Sequence, residues 1–174
     1  YTEAKVSSRT NIVSQEECSG LFVWGETKVS AAAGMYKVID INTRKVVGHG
    51  VVNLPENRIN TTSLWIKMPE RAQLRPGLLP AMEGLANLMK NLAPLFLMCD
   101  RSDIYVSTAL GEPSLKQPAL FLSDAIPGGV GLAEGAYDSI KVILRACSEQ
   151  LDSCRCRDGC PSCIGAGNIG KKKK

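Results

Sequence analysis

Cys154-Arg155-Cys156-Arg157-Asp158-Gly159-Cys160-Pro161-Ser162-Cys163 places four thiols in a Cys-x-Cys-x3-Cys-x2-Cys array near the end of a 174-residue chain. Four thiolates complete a tetrahedral Zn2+ shell at about 2.3 Å each, and a closed four-sulfur shell with no open position is structural rather than catalytic. Cys160 to Cys163 has the two-residue spacing of a zinc knuckle, and Gly159 ahead of it can supply a turn with positive φ. The same cysteines could instead form a disulfide pair, a redox Cys-x-x-Cys or loose thiols. Two close-spaced pairs within ten residues favour one structural zinc held by Cys154, Cys156, Cys160 and Cys163. Cys147, seven positions ahead of the array, is ranked as a spare ligand, and the isolated Cys18 and Cys99 as buried core thiols.

The helix that should deliver the chain to this array buries Ala133, Tyr137, Ile140 and Leu144 and is expected to run to about Ser148. Ahead of it, Ser123-Asp124-Ala125-Ile126-Pro127-Gly128-Gly129-Val130-Gly131 joins a short apolar strand, Ala119 to Leu122, to the helix start through a glycine-rich turn. Glycines there can turn backbone N–H groups toward an anion. The Gly-Lys-Ser/Thr ending of a P-loop is absent, however. Close packing of the turn is the preferred reading, with phosphate contact at Gly128 and Gly129 the alternative. Asp124 is read as a cap for the turn in preference to a catalytic acid. Lys141 and Arg145, one helical turn apart, together with Arg155 and Arg157, are the candidate nucleic-acid contacts.

Further upstream, Leu78, Met82, Leu85, Met89, Leu92 and Phe96 recur at helical spacing, with Pro94 expected to kink or end that helix near Asn91. Strand-like runs precede it at Leu21–Trp24, Gly34–Ile41, Lys45–Leu54 and Thr61–Met68, with Asn42-Thr43-Arg44 as a hairpin connection. Residues 1–20 are polar and mixed. The expected fold is α+β: an N-terminal antiparallel β-meander, two main helices and a C-terminal four-cysteine zinc loop. Residues 1–170 form one domain, and Lys171 to Lys174 form a disordered tail.

Composition sets bounds on function. Without the four terminal lysines the 21 basic residues fall to 17, against 17 acidic, so net charge offers no argument for nucleic-acid binding. No run of 18 apolar residues marks a membrane span, and the opening Tyr-Thr-Glu-Ala-Lys reads as a cut from a longer protein. Reduced thiols holding a metal point to an intracellular setting. His49, the single histidine, has no evident catalytic partner and is read as a surface residue.

Phe121 to Glu134, Cys154 to Ile164 and the run Leu95-Phe96-Leu97-Met98-Cys99-Asp100-Arg101-Ser102-Asp103-Ile104 together resemble the C-terminal zinc-binding domain of MrfA-type DEAD/DEAH-box helicases, over roughly residues 60 to 165. The four array cysteines match that family's zinc ligands one for one. The resemblance implies an accessory domain of an ATP-driven 3′-to-5′ DNA repair helicase of superfamily 2, packing on motor domains of the same parent chain and assisting binding of a DNA single strand or fork. The chain itself has no Walker A or Asp-Glu-x-His motif and should not hydrolyse ATP. The competing readings are a stand-alone zinc module that binds only protein and an independent enzyme using Asp124. An iron–sulfur cluster in the same cysteines is a variant of the first reading. A monomer is expected, cytoplasmic in a bacterium or nuclear in a eukaryote.

Overall fold

The computed structural model describes residues 2–52, 54–73, 75–110, 115, 117–156 and 159–165. Its spine is one 18-residue strand, β3 (Phe22–Ile39). Residues 22–29 of β3 alternate buried and less buried positions, with Val23, Gly25, Thr27 and Val29 turned inward. Two of the four inward residues are a glycine and a threonine. Hydrophobicity therefore breaks off at Trp24, and what reads as two strands is one.

Strands β1 (Thr2–Ile12) and β2 (Glu17–Ser19) pair with one edge of β3, while β4 (Val46–Val51) and β5 (Asn57–Lys67) line the other edge end to end. The polar opening of the chain is thus a strand, paired along its backbone with β3, and its end brings Ile12 against the second core cluster described below. Cys18, on β2, is exposed and does not sit in the core. Asn42 to Arg44 do turn the β3–β4 hairpin. Asp40 Oδ1 accepts hydrogen bonds from the Asn42 and Thr43 amides (3.0 and 2.7 Å) and from the Thr43 hydroxyl (2.9 Å), which holds the Asp40 carboxyl below its usual pKa. His49 is exposed on β4, across from Lys37.

After a single turn of helix, α1 (Glu70–Gln73), come α2 (Leu78–Leu97), β6 (Ile104–Ala109), β7 (Ala119–Asp124) and α3 (Leu132–Ser153). The main path of the antiparallel sheet is β1-β3-β5-β7-β6. Side-chain alternation sorts β5 and β7 into two cores. Leu64, Ile66, Leu120 and Leu122 face α2 and α3, where Met82, Leu88, Met89, Ala136, Ile140 and Ile143 meet them. Val23, Trp65, Ala119 and Phe121 form a second cluster on the opposite face, with the Trp65 and Phe121 rings 6.1 Å apart.

That second face is enclosed because the sheet curls. The Thr10 hydroxyl of β1 lies 3.3 Å from the Ser107 hydroxyl of β6, although these strands sit at opposite ends of the sheet order. The right-handed twist of the strands accumulates until the sheet is nearly a barrel. A buried hydroxyl line spans three strands inside it, from Thr27 to Ser63 (2.5 Å) and from Ser63 to Ser123 (2.6 Å). Such small polar residues satisfy one another and fit where larger apolar ones would not.

Both main helices extend beyond their expected ends. Pro94 is buried within α2 and does not end it. Its carbonyl accepts the Cys99 amide (3.3 Å), closing the C-terminus after Met98 adopts the left-handed conformation. The buried residues of α2 are Met82, Gly84, Leu88, Met89, Ala93 and Pro94, whereas Phe96, expected to face the core, is 37% exposed. Leu78, Leu85 and Leu92 of the expected stripe are partly buried and pack against the same core, and Gly84, Leu88 and Ala93 widen the buried surface because α2 contacts the sheet, α3 and the C-terminal loop. No helix among the described residues is long and apolar enough to cross a membrane.

Candidate metal centre

Helix α3 ends at Ser153, and Cys154 leaves it in an extended conformation that stops the helix. Gly159, at φ 89°, makes a sharp turn, and the amides of Cys163 and Ile164 then both donate to the Cys160 carbonyl (3.1 and 3.0 Å). This tight turn carries Cys160 and Cys163 to one side. The Cys160 amide donates to Cys163 Sγ at 3.2 Å, a contact that stabilises negative charge on sulfur.

All four array sulfurs lie within 4.8 Å of one another. Individual separations are 3.3 Å for Cys154–Cys156, 3.4 Å for Cys156–Cys163, 3.5 Å for Cys160–Cys163 and 3.6 Å for Cys154–Cys160. A disulfide needs about 2.05 Å. A ZnS4 tetrahedron with bonds of about 2.3 Å has edges of about 3.8 Å. The cluster is therefore close to the tetrahedral shell and far from a pair of disulfides. A four-iron cluster puts a cube between its thiolates and needs them farther apart, so one structural zinc fits this donor set.

The crowded thiols influence one another. Hydrogen bonds from Cys163, the backbone one first, bring Cys160 down to about 7, while the neighbouring sulfurs, Cys154 foremost, push Cys156 up to about 12. A cation bound among the sulfurs favours the thiolate form of its ligands. Cys147 is not among them. It is 2% exposed in the helix-side core, and burial pushes its thiol up to about 11. Cys99 is partly buried at the edge of the same core.

The thiol loop is docked on α2. A Cβ on Gly84 would lie 3.3 Å from Ile164 Cγ2, and one on Gly165 would lie 3.0 Å from Asn87 Cγ. Gly84 and Asn87 are one helical turn apart, so the loop rests on a single notch in α2. A glycine that lowers helix propensity by about 1 kcal/mol relative to alanine is what lets Ile164 pack. Gly84→Leu is expected to favour the isolated helix yet displace Ile164, raising the rate of zinc transfer to a chromogenic chelator several-fold. An unchanged transfer rate would show that the notch does not hold the loop.

The other candidate residues lie elsewhere on α3 and the turn before it. Lys141 and Arg145 are exposed on α3, and Arg155 is exposed beside the first cysteine. Arg157 and the lysine tail fall outside the described residues. Along α3, Glu134, Asp138, Lys141, Arg145, Glu149 and Asp152 follow at steps of three and four and are all exposed. The two cations are therefore flanked by two acids on each side of one stripe, which sequence position alone conceals until the helix is known to run to Ser153.

The glycine turn is used internally. Gly128 N–H donates to the Asn60 carbonyl (2.8 Å) and Gly129 N–H to the Ile126 carbonyl (3.0 Å). The buried Asp124 carboxylate accepts the amides of Val130 (2.6 Å), Leu132 (3.2 Å) and Ala133 (2.7 Å). Helix α3 begins on glycine and takes its cap from the end of β7. Its anion site already holds an anion belonging to the fold, so a phosphate contact at this turn would have to use groups other than these amides.

A curled antiparallel sheet, two helices and a four-thiol loop docked on one of them define a zinc-binding α+β domain. Residues 85–164 match the family model described as the MrfA Zn-binding domain. The chain is 34% identical to the uncharacterized protein MJ1572.1 of Methanocaldococcus jannaschii, with 51% of this chain covering 82% of that protein. It is 31% identical over its whole length to the uncharacterized ATP-dependent helicase YprA of Bacillus subtilis, of which it spans 24%. A crystal structure of the DUF1998 helicase MrfA bound to DNA matches 98% of this chain with a TM-score of 0.71 at 28% identity, again over 24% of that chain. The chain belongs to the MrfA zinc-binding domain family.

Proposed function

We propose that this chain is the zinc-held accessory domain of an ATP-dependent DNA helicase that translocates 3′ to 5′ and acts in DNA repair. The observation that carries the reading is the fit of nearly the whole chain, thiol loop included, onto about a quarter of a DNA-bound helicase. Cys154, Cys156, Cys160 and Cys163 serve as the zinc ligands, and residues 1–170 act as one unit. The metal fixes the loop on α2 and so holds one surface rigid. That surface packs on motor domains of the parent chain and assists binding of a single strand or fork, with Lys141, Arg145, Arg155 and Arg157 as contacts. The chain contributes no ATP site. It works as a monomer inside the cell, in the cytoplasm of a bacterium or the nucleus of a eukaryote, where thiols stay reduced.

The balanced charge stripe on α3 favours a second reading, a zinc module that docks only to protein. The two are separated by the full-length polypeptide carrying this domain. A helicase unwinds a 3′-tailed duplex with ATP and leaves a 5′-tailed one intact, and it loses unwinding when Cys160→Ser and Cys163→Ser are combined. Absence of ATP-dependent unwinding on either duplex would leave the protein-only reading.

A further inference from the structure

β5 pairs with β3 only as far as Ala31, and from Met35 onward β3 runs alongside β1 and β4 as an arm. The two faces of this arm differ in kind. On one, the Tyr36 ring covers Gly50, where an added Cβ would meet it at 2.7 Å, and Val38 lies over Gly48. On the other, the cross-strand pairs Lys37–His49 and Met35–Val51 are all exposed. At the tip, Ile41 is 71% exposed, and Arg44 and Lys45 follow it, also exposed.

The charge of the arm is uneven. Residues 34–54 hold Lys37, Arg44 and Lys45 against Asp40, whose carboxylate is turned back onto its own turn, and the facing stretch of β1 adds one acid, Glu3, in register with Lys37, and one base, Lys5. Cations interleaved with exposed aliphatics suit a polyanion that also offers apolar sugar and base surface. An apolar protein face would offer no counter-charge to Arg44 and Lys45 at the tip.

We infer that the β3–β4 arm is a DNA contact, with Lys37, Arg44 and Lys45 on backbone phosphates and Ile41 against sugar or base. The inference rests on the proposed helicase reading for the identity of its partner, and it adds contacts on the β3–β4 arm to those proposed on α3 and the zinc loop.

The test is fluorescence anisotropy of the whole chain with a labelled single-stranded oligonucleotide between 50 and 200 mM KCl. Lys37→Gln, Arg44→Gln and Lys45→Gln are combined in one variant, and Lys141→Gln, Arg145→Gln and Arg155→Gln in another. All six side chains are exposed, so melting temperature and zinc content should stay at wild-type values. The arm variant is expected to bind at least about tenfold more weakly, with a salt slope shallower by about 2, since each lost phosphate contact on a single strand removes about 0.7. Wild-type affinity and slope in the arm variant, with loss only in the α3 variant, would overturn the arm contact and leave the helicase reading standing. Wild-type protein that binds no DNA at 50 mM KCl would overturn both the arm contact and the DNA-binding part of the proposed function.

Discussion

Asp124→Ala is expected to cost about 4 kcal/mol of stability, among the largest effects of any single substitution in this fold. The carboxylate is fully buried at the end of β7 and accepts three backbone amides from the segment that starts α3. Hydrogen bonds to a charged group contribute about 1.5–3 kcal/mol each, and truncation leaves donors unpaired, the Ala133 amide fully buried among them. For a domain of this size the melting temperature should fall by roughly 10 °C in circular dichroism. Asp124→Asn keeps acceptor oxygen but only one, so its loss should be about half as large. A melting temperature within about 2 °C of wild type for the alanine variant would show that α3 does not depend on this cap.

Metal removal should act locally first. Cys163 is buried and Ile164 packs on Gly84, yet the helix-side core is built from the sheet, α2 and α3 and takes none of the four array cysteines. Chelation is therefore expected to abolish amide-exchange protection in residues 159–165 and weaken it in α2 around Gly84 and Asn87, while β5 and β7 stay protected. Loss of the docked loop should lower the melting temperature by several degrees, at about 2–4 °C per kcal/mol. Collapse of protection throughout the sheet would mean that zinc binding and folding of the whole domain are one event.

The parts of this fold visible in the amino-acid order are those whose chemistry is local. Four thiols in ten residues declare a tetrahedral site by type and spacing. Asn42 to Arg44 declare a turn, and the apolar run Ala119 to Leu122 proved to be a strand buried on both faces. Asp124 could be read as a cap because a carboxylate before a glycine turn and a helix has few other uses. Other features depend on distant partners. β1 is a strand because β3 offers it a ladder, and its own residues are too polar to say so. β3 is continuous because Gly25 and Thr27 fit inside a curled sheet, where Gly25 leaves room for the Ser14 carbonyl. Closure of β1 on β6 links residues 97 positions apart and has no local signal. Gly84 looks like a weak point in a helix until Ile164 is placed against it.

Metal analysis of the purified chain, beside a Cys160→Ser/Cys163→Ser double variant, tests the central claim most directly. The expected result is about one zinc per wild-type chain with no iron and no visible absorption, and no bound metal in the variant together with its lower melting temperature. A wild-type chain without stoichiometric metal, or a double variant as stable as wild type, would contradict the reading of the four thiols as a structural zinc site.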